Sequence, residues 1–287
     1  MKKSYVYAGI SILLWSTIAT VSKLLLGSMD SMQVVGISSL FAFLFLLILN
    51  IIKGNLKELK AFKVKDYFII AGLGTLGIFG YHLLLYLGME RMEGGKAFII
   101  NYLWPLMILL FACLILKERF TWRKLLAILL SFAGVFAVST TGGGQTQLVG
   151  ILFCISAAIV YGLFSVLNKK CNYNNYLCMM LCYLFSFLFS AVYLLIRQTP
   201  LTLELPQVLG LLWNGIFTYA IAYTFWAIAL AQGETAKISN LAYITPFLSL
   251  IWTTLILKEP FNPFSLLGLL LIVSGILIQN IQLKKEP

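Results

Sequence analysis

Leu114-Ile115-Leu116-Lys117-Glu118-Arg119-Phe120 recurs as Leu255-Ile256-Leu257-Lys258-Glu259-Pro260-Phe261, with six of seven positions identical at an offset of 141 residues. The same offset pairs Glu93 with Glu234, Lys96 with Lys237, Tyr102 with Tyr243, Pro105 with Pro246 and Gly134 with Gly275. An offset of 146 pairs Trp15 with Tyr161 and Lys23 with Lys169. Apolar helices look alike by composition, but composition does not set Lys-Glu pairs and prolines in one register. The chain therefore reads as two copies of one unit, residues 1–141 and 142–287.

What each copy contains follows from hydropathy. Of the 287 residues 61% are hydrophobic and 11% charged, and the mean hydropathy is +0.94. Soluble domains hold about 45–50% apolar and about 25% charged residues, so a water-soluble protein is excluded. A bilayer-spanning helix needs about 20 apolar residues. Apolar runs at 5–26, 32–52, 67–89, 94–116, 122–140, 148–168, 175–197, 207–230, 235–257 and 264–282 predict ten such helices, five per copy. Turn chemistry separates them at Gly27-Ser28-Met29-Asp30, at Gly142-Gly143-Gly144 and at Pro200 with Pro206. The longest polar break, 53–66, is only a loop, which leaves no room for a soluble domain. An odd number of helices per copy turns the second copy upside down. The expected fold is an all-α polytopic membrane protein of ten transmembrane helices in two inverted five-helix repeats, the architecture of alternating-access carriers.

Charge sets the expected orientation. With the N-terminus in the cytoplasm, sixteen of the 21 Lys and Arg fall inside and five (Lys23, Arg91, Lys96, Arg197, Lys258) outside. The positive-inside rule then places both termini in the cytoplasm and the chain in the cell (inner) membrane. The formal net charge of +11 is explained by these loops, with no basic face for nucleic acid. Met1-Lys2-Lys3 leads into an apolar run without a small-residue cleavage site, so it reads as a first helix rather than a signal peptide. Cys113, Cys154, Cys171, Cys178 and Cys182 form neither a disulfide framework nor a paired zinc motif, and no cofactor or metal is expected.

All ten acids sit at helix ends, in loops or in the tail. A carboxylate in hydrocarbon would mark an ion path, and paired acids, HExxH or Gly-x-Ser-x-Gly would mark an enzyme. None of these occurs. What does converge at mid-depth is neutral and aromatic: Trp15, Tyr81, His82, Tyr86, Asn101, Trp104, Tyr161, Tyr223, Trp226, Tyr243 and Thr245 are the candidate substrate-binding residues, with Tyr219 nearby. Asn101 and Trp104 share a helix face by their i, i+3 spacing. Pro105 and Pro246 remove backbone donors at the same depth and should kink their helices. A wall of this kind suits amphiphilic or aromatic solutes and suits polyanions poorly. His82, the lone histidine, reads either as a proton carrier or as a neutral packed group. Gly72, Gly74, Gly77 and Gly80 predict a close helix approach, and Lys23 and Lys169 read as snorkelling to the interface. Small residues at Ala127, Ser131, Ala133, Ala137, Gly268, Ser274 and Gly275 fit either a homodimer seam or ordinary neighbour packing.

Leu14-Trp15-Ser16-Thr17, Asn101-Tyr102-Leu103-Trp104-Pro105 and Tyr243-Ile244-Thr245-Pro246 resemble the EamA family of the drug/metabolite transporter superfamily, with the nearest likeness to bacterial aromatic amino-acid exporters. The resemblance covers essentially the whole chain. It implies ten helices in two inverted repeats around a central cavity lined by helices 1, 3, 4, 6, 8 and 9. In the family's pattern an acid often follows the tyrosine of the third helix, where this chain has His82. The expected activity is export of small organic metabolites, above all amino acids with aromatic or bulky apolar side chains. Trp15, Trp104, Tyr161, Tyr243 and Trp226 would form the apolar wall, and Asn101 and Thr245 would bind the zwitterion. The partners are this small-molecule substrate and membrane lipid. Carriage of a lipophilic cation, a sugar derivative or a nucleotide derivative is the alternative within transporters. An intramembrane lipid-handling enzyme built on Glu90-Arg91-Met92-Glu93 is the alternative outside them.

Overall fold

The computed structural model describes residues 2–115, 117, 122–139, 145–171, 173–232, 241–260 and 263–280. Among them there are helices and turns and no strand, as lipid requires when each backbone polar group must be satisfied within its own segment. The first half runs α1 (Lys2–Ser16), α2 (Ile18–Leu26), α3 (Ser31–Lys53), α4 (Val64–Leu73), α5 (Tyr81–Met89), α6 (Gly94–Asn101), α7 (Trp104–Ile115) and α8 (Trp122–Ser139). The second runs α9 (Gln145–Cys171), α10 (Asn175–Arg197), α11 (Leu205–Leu212), α12 (Ala222–Gln232), α13 (Thr245–Ile256) and α14 (Pro263–Asn280).

Several of these join end to end. Among the described residues, seven helical stretches are long and apolar enough to cross a membrane: Lys3–Leu26, Ser31–Lys53, Val64–Met89, Gly94–Ile115, Gln147–Asn168, Asn175–Arg197 and Leu205–Ala229. The other three expected segments contain shorter apolar helices, Leu129–Val138, Thr245–Ile256 and Pro263–Gly275, each close to residues outside those described.

Local chemistry explains the ends and the breaks. Asp30 caps α3 with a reciprocal box: its side chain accepts the Gln33 N–H at 2.9 Å, and the Gln33 side chain accepts the Asp30 N–H at 3.1 Å. Gly54 ends α3 in the left-handed region, φ 70°. The first helix breaks at Thr17, where the Ser16 and Thr17 hydroxyls donate back to the Leu13 and Leu14 carbonyls, both at 2.7 Å. Pro105 and Pro246 each fall at the second residue of a new helix, behind breaks at Tyr102-Leu103 and Ala242–Ile244. The kinks expected from the sequence are therefore present as interruptions. Wider π-helical turns occupy Gly74–Gly80, between α4 and α5, and Trp213–Ile221, between α11 and α12.

The halves interleave. α1 packs on α12 and α13, α5 and α7 on α9, α3 on α10, α6 on α13 and α8 on α14. Close approach is built on Gly74 and Gly215. A Cβ on Gly74 would lie 2.8 Å from the Cys182 Cα, and one on Gly215 would lie 2.6 Å from the Ser38 carbonyl oxygen. Gly72 is a correction to the sequence reading, because nothing lies within 4 Å of its Cβ position. Lys23, in the last turn of α2, donates its ammonium to the carbonyls of Met89 and, at 2.7 Å, Met92, at the end of the third apolar segment.

Candidate functional site

Between the halves, beside the proline breaks, lies a small cavity of about 20 Å³. It is lined by Trp15, Ile18, Tyr81, Phe98, Asn101, Tyr102, Trp104, Tyr161, Tyr223 and Thr245. Its rings lean on one another. Tyr161 meets Tyr81 at 4.7 Å and stands edge-on to Trp104 at 5.3 Å; Trp15 stands edge-on to Tyr223 at 5.0 Å. Such edge and tilted contacts keep positive ring edges on negative faces. No charged side chain lines the cavity among the described residues.

Polar groups in the wall are only partly used. Asn101 donates its amide N–H to the Tyr81 hydroxyl at 3.0 Å, leaving its Oδ1 without a partner among the described residues. The Trp15 indole Nε1 and the Thr245 hydroxyl are unpartnered in the same way, and all three residues are buried. An unmet buried donor or acceptor costs about 1–3 kcal/mol. Three at one cavity therefore amount to a polar surface that a ligand can satisfy: one donor, one acceptor and one group able to be either.

Seven of the eleven candidate residues come together here: Trp15, Tyr81, Asn101, Trp104, Tyr161, Tyr223 and Thr245. Three others stand just behind the wall. His82 is fully buried; its Nδ1 pairs with the Ile78 carbonyl at 2.8 Å and its Nε2 lies 3.4 Å from the Tyr223 hydroxyl. Tyr86 shares a hydrogen bond with the Tyr219 hydroxyl, and Tyr219 stacks on Tyr183. Trp226 lies against Trp15 with ring centroids 5.2 Å apart. Tyr243 lies in the short 3-10 turn Ala242–Ile244 just before α13, with a side chain outside the described residues. Sequence reading did not place Ile18, Phe98 or Tyr102 in the wall. Tyr102 carried a signal, its repeat partner Tyr243, whereas Ile18 and Phe98 are apolar residues among many.

A second hollow, of about 480 Å³, lies at the far end of α3 between Lys53, Asn55, Tyr173, Asn174, Asn175, Tyr176, Ile228 and Gln232. There Tyr173 donates to Asp66 at 2.8 Å. Burial, and then that bond, push the Tyr173 hydroxyl up to about 12, so it remains a donor at any physiological pH. Among the described residues no group of three or more His, Cys, Asp or Glu is placed to hold a metal ion.

Comparison with known proteins agrees with this architecture. A solved crystal structure superposes with a TM-score of 0.68 at 20% identity, covering 97% of this chain and 96% of the other, which identifies the fold. An uncharacterized transporter of Clostridium kluyveri is 26% identical over 99% of this chain and 95% of its own length. A probable terminal-alkyne amino-acid exporter of Streptantibioticus cattleyicolor is 22% identical over 76% of this chain and 74% of its own. The aromatic amino acid exporter YddG of Ancylobacter novellus is 26% identical over 63% of this chain and 64% of its own. The EamA-like transporter family matches twice, at residues 2–140 and 148–281. With both stretches matched, and with apolar helices enclosing a neutral aromatic cavity, the chain is a multi-pass membrane transporter that belongs to the EamA-like transporter family.

Proposed function

We propose that this transporter exports net-neutral amino acids with aromatic or bulky apolar side chains across the cell membrane, by alternating access through the central cavity. The observation that carries the reading is the set of unpartnered atoms, Trp15 Nε1, Asn101 Oδ1 and Thr245 Oγ1, set among ring faces with no charge in the described wall. A zwitterion supplies one anionic and one cationic end at no net charge. The indole N–H and the threonine hydroxyl donate to the carboxylate, and the Asn101 oxygen accepts from the ammonium. The rings of Trp104 and Tyr161 take the side chain. An amino-acid exporter and an aromatic amino acid exporter among the relatives support the same cargo.

The machinery is ten helices in two inverted repeats, 1–141 and 142–287, with both termini cytoplasmic. Two facts support it. Exchanging the first five apolar segments for the second five returns the same packing: 1 with 8 and 9 becomes 6 with 3 and 4, while 2 with 7 and 5 with 10 are unchanged. Lys117 and Lys258, matched at the 141-residue offset, are two of only three non-glycine residues with positive φ among those described, each at 56°. Rocking one half against the other moves the cavity's opening from one side to the other.

The test is counterflow in liposomes with labelled Phe, Trp, Thr and a quaternary amine. Saturable exchange of Phe and Trp is expected. Saturable exchange of the amine alone would replace amino acids by lipophilic cations held through cation–π contact, and no saturable exchange of any amino acid rejects the assignment.

A further inference from the structure

Glu259 follows α13 at the end of the bundle remote from the Tyr173 hollow. Lys258 turns into the left-handed region at φ 56°, and the Glu259 N–H returns to the Thr253 carbonyl. The carboxylate is thereby aimed across the seam between the halves. It accepts the Gly94 N–H on Oε1 at 2.6 Å and the Gly95 N–H on Oε2 at 2.9 Å. These are the first two amides of α6, which no helix can satisfy internally, and the positive end of the helix dipole lies there. The seam is tight, because a Cβ on Gly95 would lie 3.0 Å from the Thr253 Oγ1. Further along α6 stand Phe98 and Asn101, in the cavity wall. The neighbouring bonds of Lys23 to Met89 and Met92, and of Glu90 to Ser31, join first-half helices to one another, whereas the Glu259 bonds join α6 to the second half.

The geometry points to Glu259 as the latch of a gate between α13 and α6. Clasped, it closes the cavity toward its own end of the bundle. To open that way, both oxygens must leave the Gly94 and Gly95 amides, and incoming water hydrates the freed carboxylate and the freed N–H groups. The latch rests on the alternating-access reading but not on the identity of the cargo. It also accounts for the Lys-Glu pair at this helix end, since the lysine makes the left-handed turn and the acid behind it makes the clasp. Glu118, the counterpart in the first half, lies outside the described residues, so the latch is assigned to Glu259 alone.

The first measurement needs no solute. Phe98→Cys is introduced as a reporter, and a membrane-impermeant maleimide is applied separately to the two faces of sealed vesicles, with labelling of the five native cysteines subtracted. Adding Glu259→Gln should raise labelling of the reporter from the Glu259 face several-fold and leave labelling from the other face unchanged or lower. Lys258→Pro keeps the carboxylate but forbids the positive φ that aims it, and should give the same one-sided increase. A merely structural loss would raise labelling from both faces. Equal labelling with and without these substitutions, or an increase from both faces in both variants, overturns the latch. As a second measurement, a Gly95→Cys, Thr253→Cys pair oxidised to a disulfide should cut exchange at least tenfold and recover on reduction. Undiminished exchange by the crosslinked chain overturns the latch, whereas absence of exchange in the unmodified protein speaks only against the cargo.

Discussion

The Tyr102 hydroxyl donates to the backbone carbonyl of Ala242, across 140 residues of sequence and from one half of the protein to the other. The carbonyl also accepts the Thr245 N–H of its own turn, so the hydroxyl is its second donor. In a continuous helix the N–H of residue 246 would bond residue 242, and residue 246 is proline. The break in the second half is therefore braced by a side chain from the break in the first, in the place the helical N–H would have taken. Tyr102→Phe should leave the Ala242 carbonyl only its Thr245 N–H and cost about 0.5–1.5 kcal/mol, seen as a lower melting temperature of the purified protein. In a Pro246→Ala background, which restores the missing N–H, the same substitution should cost much less. Equal losses in both backgrounds would show that the hydroxyl does not serve that carbonyl.

Trp15→Phe separates binding from stability. The indole Nε1 has no partner among the described residues, so its removal should leave the melting temperature unchanged or slightly raised. The ring face against Tyr223 is kept. If Nε1 donates to a substrate carboxylate, a charge-assisted bond worth about 1.5–3 kcal/mol is lost, which weakens apparent affinity roughly ten- to a hundredfold. Thr245→Val should behave alike. Unchanged half-saturation for exchange in both variants would remove these groups from the carboxylate site.

Gly74 and Gly72 should differ sharply. A Cβ on Gly74 meets the Cys182 Cα and carbonyl oxygen at 2.8 Å, and backbone cannot step aside as a flexible side chain can. Gly74→Ala should therefore part the π turn of the third segment from α10 and cost about 1–3 kcal/mol. Gly72→Ala meets nothing within 4 Å and replaces a poor helix former, so it should be neutral or stabilising. Thermal unfolding of the two variants side by side checks the pair. A similar melting temperature for both would mean that the Gly74 contact is not a constraint on the fold.

The contrast between those glycines shows where sequence is informative. Lipid imposes length and apolarity on each helix, so the apolar segments are legible directly, and matched prolines expose the repeat. Depth along a helix is legible too, which is why Trp15, Asn101, Trp104 and Tyr161 are expected at one level, and the structure brings them to one cavity. Azimuth is not. Tyr81 and His82 are adjacent and equally deep, but one residue is about 100° of helix rotation. Tyr81 therefore lines the cavity while His82 turns back to Tyr219, 4.1 Å away between ring centroids. The π turn just before Tyr81 shifts that azimuth again, and a π turn leaves no mark on composition. Bonds such as Tyr102 to Ala242 or Glu259 to Gly94 depend on partners 140 and 165 residues away and emerge only from the packed structure.

Asn101→Asp tests the neutrality of the cavity. The described wall holds no charged side chain, and the Asn101 Oδ1 is unpartnered there. A carboxylate would keep the acceptor and add a negative charge in a place where charge costs several kcal/mol. Two responses are open to it. With a cationic solute at hand, the new charge is paired, and the cavity should gain exchange of organic amines that the unmodified protein moves poorly. With a zwitterion, the ammonium meets the new carboxylate but the loaded cavity is left with a net negative charge, which costs several kcal/mol there, and exchange of Phe and Trp should fall at least tenfold at neutral pH. As the pH falls toward the carboxylate range, the aspartate takes a proton and becomes a near-isostere of asparagine, so Phe and Trp exchange should recover while amine exchange is lost. Measuring both solutes across pH in one preparation supplies its own control for folding, because a misfolded chain loses both at every pH. If the exchange ratio of Phe to amine does not change with either substitution or pH, the Asn101 side chain does not face the charged end of the cargo, and the zwitterion must be read by other groups in the wall.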